Sequence, residues 1–228
     1  MTKTNTHRLV ESGILIAIAV VLVLISSILP LSLPFGGSIT FMSMLPIILI
    51  SYRYGIKWGL FCGFVFSIIQ MLTGFKTVSA FFIPGDSQVI LWKAIAICFL
   101  DYVLAFTVIG LGGLFRNKFK SPMVALVLGT VFALLLRFAI HFISGSLFFG
   151  AWAEWFFTQE AIAQFGTWVL AHISGTSLSM FYSFIYNATY MIPEIIITVV
   201  GAIVISKIPS ISKKMDYKVC LDGPSISK

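Results

Sequence analysis

PMVALVLGTVFALLLRFAIHFISGSLFF, residues 122–149, is the stretch on which the fold turns. Apart from Arg137 and His141 its side chains are apolar, small or singly hydroxylated. It exceeds the ~20 residues that an α-helix needs to cross ~30 Å of hydrocarbon at ~1.5 Å of rise per residue. Its two chargeable groups stand four positions apart, on one helix face. Comparable apolar runs lie near 9–33, 39–53, 57–73, 88–115 and 177–208. The second and third are short, with only the turn YRYGIK (52–57) between them. Barrel strands would alternate over ~10 residues, whereas these runs are longer and continuous. The expectation is an all-α membrane protein: one domain of six transmembrane helices over 1–208, an extracellular loop or lid at 150–176, and a cytoplasmic tail at 209–228.

Composition agrees. The chain has 228 residues, 59% hydrophobic and 10% charged, with a mean hydropathy of +1.03. Soluble domains carry about 25% charged residues, so lipid is the expected solvent. The net charge of +7 reads as topology. With the N-terminus in the cytoplasm, Lys3, Arg8, Arg53, Lys57, Arg116, Lys118, Lys120, Lys207, Lys213, Lys214, Lys218 and Lys228 all fall inside. Lys76 alone among loop cations falls outside, with Asp86, Glu154 and Glu160. That bias is the positive-inside rule, and it places both termini of a multi-pass cell-membrane protein in the cytoplasm. Nucleic-acid binding is a poor explanation of the basic character, and no nucleic-acid partner is expected.

The first apolar run outlasts the ~7–15 residues of a signal-peptide core and reads as a retained helix. Cys62 and Cys98 read as small apolar fillers, and no cysteine or histidine spacing suggests a metal site. Three of the five tryptophans, Trp152, Trp155 and Trp168, sit in the 150–176 segment, as expected of an interfacial belt or a lid. Gly55, Gly59 and Gly63 make one small-residue stripe, and Gly13 with Ala17 another. Such stripes let helices approach closely, either within the chain or against a separate membrane subunit.

Charges inside spans are costly and mark a site or a buried pair. Lys93, Asp101, Arg137, His141 and Glu194 qualify. Counting from the cytoplasmic helix ends puts Asp101, Arg137 and Glu194 roughly 20–23 Å deep, with His141 and Asn187 near ~28–32 Å. The expectation is a polar cluster on the outer side, of net charge about minus one, suited to a small organic cation. A plain ion pair, Arg137 with Asp101 or Glu194, is the structural alternative. Tyr102, Phe142, Phe148, Phe149, Tyr182 and Tyr186 offer ring faces nearby. The motifs GxxxxGK[ST], HExxH and GxSxG are absent, so ATP hydrolysis or hydrolase chemistry in their usual forms is not expected.

Four segments carry a family resemblance: GGSITFMSMLPIILISYRYGIKWGLFCGF (36–64), FLDYVLAFTVIGLGGLF (99–115), LLRFAIHFISGSLFFG (135–150) and FYSFIYNATYMIPEIIIT (181–198). In combination they resemble the substrate-binding subunits of energy-coupling-factor vitamin importers, thiamine branch. The resemblance implies a six-helix fold without enzymatic activity or cofactor, and thiamine bound near the outer surface. It assigns binding to Asp101 and Tyr102 of the acidic–Tyr pair, and to His141 and Gly145 of HFxxG. Phe149 follows four residues on, and Tyr182 and Asn187 come from YSxxYN. Arg137 and Glu194 stand as a second tier. Gly13 and Ala17 match the stripe that contacts a membrane coupling subunit, itself served by two ATPase subunits. The alternatives are a thiamine precursor, riboflavin or biotin on the same scaffold, or an intramembrane enzyme using His141 and Asp101 as acid and base.

Overall fold

A computed structural model of the protein describes residues 3–29, 38–85 and 88–213. Asp86, Lys214, Lys218, Lys228 and most of the tail lie outside the described residues. The long helices are α1 (Lys3–Ile28), α3 (Ile56–Thr73), α7 (Pro122–Phe148) and α10 (Gly175–Ser206). A composite span over Leu91–Gly113 joins them, giving five helices long and apolar enough to cross a membrane among the described residues. The composite is built from α5 (Leu91–Ile97), a π-wound stretch (Cys98–Leu104), α6 (Ala105–Thr107) and a 3₁₀ stretch (Val108–Gly113). The shorter helices are α2 (Leu45–Tyr54), α4 (Phe75–Ala80), α8 (Ala153–Phe157), α9 (Ala163–His172) and α11 (Pro209–Ser212).

The run expected to span from residue 39 becomes helical only at Leu45. Pro46 sits in the first turn, where a missing N–H costs nothing. Every residue of α2 is buried, and α2 contributes most of the main core together with Phe66, Phe106, Ile109 and Leu126. The chain reverses into α3 at Gly55, whose φ of +93° suits a residue without a side chain. The stripe that follows is spent within the chain. A Cβ on Gly59 would stand 2.6 Å from the Gly110 carbonyl oxygen, and one on Gly63 2.8 Å from that of Thr107. At this crossing Ser51 Oγ donates to the Gly110 carbonyl and accepts from Gly113 N–H at 2.9 Å. In a bundle interior closed to water, such side-chain bonds are how irregular backbone is satisfied. Gly13 and Ala17, in contrast, face outward from α1.

The basic residues gather at one end of the bundle. Arg53 is 6% exposed, bonded to Glu11 Oε2 of α1 at 3.1 Å and to the Ser210 carbonyl of α11 at 2.9 Å. Arg116 Nη2 donates to the Arg53 carbonyl at 3.1 Å. Arg53 is therefore a clasp as well as a topology signal. At the other end, the segment expected as a loop over 150–176 is mostly helical, with α8 and α9 flanked by short 3₁₀ turns. Gly59→Val should lower the unfolding temperature of the detergent-purified protein, with overpacking at the α3–Gly110 crossing costing about 1–3 kcal/mol.

Candidate functional site

Asp101 lies in the middle of the π-wound stretch. Such widened turns recur at functional sites because they re-aim side chains without ending the helix. Asp101 is met from α7 by two donors: His141 Nδ1 to Oδ1 at 3.0 Å and Ser144 Oγ to Oδ2 at 2.9 Å. The carboxylate thus belongs to the level of His141, one turn higher than uniform helix arithmetic placed it. The 3₁₀ stretch below rises ~2.0 Å per residue instead of ~1.5 Å, which supplies about 3 Å, roughly half a turn; the remainder is side-chain reach, since Cα–Cβ bonds tilt along the helix toward its N-terminus.

Glu194 takes the other role. It is fully buried, pairs with Arg137 Nη1 at 2.9 Å, and accepts from Thr40 Oγ1 at 2.7 Å. Arg137 also lies over the Phe106 ring, 4.7 Å from its centroid. The ion pair expected between Arg137 and either acid is therefore made with Glu194.

Helix α10 is brought against α7 by the absence of a side chain at Gly145, where a Cβ would stand 2.2 Å from Ser183 Oγ. Ser183 Oγ donates to the Phe142 carbonyl at 2.8 Å. Asn187 Nδ2 donates to the Ser183 carbonyl at 2.8 Å, and Tyr190 OH donates to Asn187 Oδ1. This close seam fixes which face of α10 looks inward.

These elements enclose a cavity of about 350 Å³. Asp101, Tyr102, His141, Gly145, Phe149, Tyr182 and Asn187 all line it. Tyr186, one of the ring faces expected nearby, lines it as well, and Thr77, Phe81, Phe106, Ser183 and Tyr190, which sequence reading did not assign, complete the wall. Tyr190 continues the i, i+4 stripe from Tyr182 through Tyr186, so its period was readable. Thr77 and Phe81 come from α4 and the turn after it, in a region without a clear pattern. Arg137 lines an adjoining chamber, also about 350 Å³, which shares Tyr102, Phe106, His141, Tyr186 and Tyr190 with the first. His141 Nε2 is buried without a hydrogen-bond partner. Its Nδ1 faces the Asp101 carboxylate, which leaves Nε2 as the ring's unused polar atom.

The arrangement is a ring-walled chamber holding one fixed carboxylate, beside an Arg–Glu pair whose charges cancel. It suits a flat, singly charged cation with a polar edge.

The thiamine transporter protein family matches residues 9–158. The thiamine transporter ThiT of Bacillus subtilis (strain 168) is 36% identical over 199 residues, 83% of this chain and 85% of the relative. Among solved structures, ThiT from Listeria monocytogenes aligns with a TM-score of 0.63 at 21% identity, over 92% of this chain and 99% of that one. At that identity the likeness is one of fold. Arg137→Met should strand the Glu194 carboxylate and cost about 3–5 kcal/mol, most of it recovered in Arg137→Met/Glu194→Met; thermal unfolding of the single and double variants reads the difference.

Proposed function

Because the chain belongs to the thiamine transporter protein family, we propose that it captures thiamine in the Asp101 cavity, as the substrate-binding subunit of an energy-coupling-factor importer. The observation that carries the reading is the Asp101 carboxylate, held at 3.0 Å by His141 and 2.9 Å by Ser144 in a chamber walled by rings. Thiamine joins an aminopyrimidine to a positively charged thiazolium. The thiazolium charge is balanced by Asp101, and the flat rings lie against Tyr102, Phe149, Tyr182 and Tyr186, each cation–ring contact contributing ~0.5–2 kcal/mol. The polar edge of the pyrimidine turns toward His141, whose buried Nε2 the protein leaves unpaired. Asn187, already bonded to Ser183 and Tyr190, keeps α10 in register with the ligand. The chain belongs to a transporter family and is not an enzyme; in this reading Asp101 and His141 bind and do not catalyse.

The chain is a multi-pass membrane protein. Its basic end faces the cytoplasm by the positive-inside rule, both termini lie there, and the cavity opens outward beneath α8 and α9 as a lid. ATP hydrolysis is supplied by two separate ATPase subunits, since this sequence has no phosphate loop. The membrane coupling subunit docks on the outward face of α1 that carries Gly13 and Ala17, small residues exposed to lipid.

Tryptophan fluorescence of the purified protein should report tight thiamine binding, with Asp101→Asn at least about thirtyfold weaker, the loss of a buried charge partner worth roughly 2 kcal/mol or more. Failure to bind thiamine, its phosphates or its pyrimidine precursor sinks the reading, and riboflavin or biotin binding would redirect it. Orientation is checked separately, in a background without native cysteines. Thr158→Cys should react with an impermeant maleimide on intact cells, whereas Asn117→Cys should react only after permeabilisation.

A further inference from the structure

The segment between α7 and α10 has a small core of its own. Ala153, Phe156, Phe157 and Val169 pack with Leu178 and Tyr182, apart from the main core of the bundle. Phe156 is only 1% exposed. Its ring meets Tyr182 edge-on at 5.2 Å between centroids and Tyr186 at 6.1 Å. Both tyrosines line the cavity, whereas Phe156 does not; it stands behind the wall. The rings continue inward, Tyr186 to Tyr190 at 6.0 Å and Tyr190 to His141 at 6.4 Å, and so reach the group that grips Asp101.

We propose that Phe156 is a positioning residue for ligand binding, holding Tyr182 and Tyr186 in the orientation that lets their faces meet the ligand. The need is physical. A tyrosine on an inward helix face turns about two side-chain torsions, and only packing behind the ring selects one arrangement. Edge-to-face contacts such as these supply both attraction and direction. On the outer side of the same segment, Trp152, Trp155 and Trp168 are 44%, 48% and 55% exposed, and indoles favour the membrane interface. The segment is thus secured from outside by the headgroup layer and acts inward through one phenylalanine. Affinity is set partly by a residue that the ligand never touches.

This inference rests on the cavity being the thiamine site, and the experiment separates the two. Wild type and Phe156→Leu, which keeps an apolar side chain of moderate bulk and removes the ring edge, are titrated with thiamine side by side. The expected result is about tenfold weaker binding for Phe156→Leu, the scale of one to two aromatic pairs. Faster dissociation should account for it, with association unchanged. In a Tyr182→Leu background the same substitution should cost clearly less, because the nearer of the two rings it acts through is gone. Tight wild-type binding with Phe156→Leu unaltered overturns the positioning role alone, as does an equal loss in both backgrounds. No binding by wild type overturns the role together with the site assignment.

Discussion

A carboxylate inside a membrane bundle must be held by something other than water, and in this protein Asp101 is held by His141 and Ser144, three residues apart on α7. Both donors come from one helix face, so the bond fixes the rotation of α7 against the composite span. With α7 fixed, Gly145 presents its bare backbone to Ser183, and α10 is drawn in at a single register. The inward face of α10 then carries Tyr182, Tyr186 and Tyr190 as one column. The rings surround the charge because the helices that bear them are positioned by it.

Two further ionic ties complete the bundle, and neither lines the Asp101 cavity. Arg137 and Glu194 join α7 to α10 and, through Thr40, to the segment ahead of α2. Because the pair is neutral, it leaves Asp101 as the charge that sets the sign of the chamber. Arg53 and Glu11 do the corresponding work at the opposite end, where α1, α2 and α11 meet. A buried pair adds little net stability compared with apolar packing, but it is intolerant of losing one partner. The three ties therefore fix arrangement more than they add strength.

Much of this was readable from the sequence. Continuous apolar runs located the long helices, because length alone decides whether a helix reaches across lipid. The motifs that pointed to Asp101, His141 and Asn187 bring side chains from three separate helices to one cavity. Pitch was not readable. Nothing in CFLDYVL announces a π-wound turn or in VIGLGG a 3₁₀ one, so Asp101 was set a tier too low. Ser144 went unnoticed because a serine in an apolar helix is unremarked until its partner is known. Helices α8 and α9 are too short to persist alone, and only their shared core with Tyr182 makes them helical. Arg53 was counted as a loop cation because its partners are distant in sequence.

The complete burial of α2 bears on what keeps that helix in the bilayer. Ten residues make a rod of about 15 Å, half the hydrocarbon thickness, and a segment so short has no independent hold on lipid. Joined to α3 at Gly55, it forms one half of a hairpin whose other half, α3, is long enough to cross the membrane. Helix α2 is therefore a passenger, kept in place by the walls that α1, α3, α7 and the 3₁₀ stretch put around it and by no grip of its own.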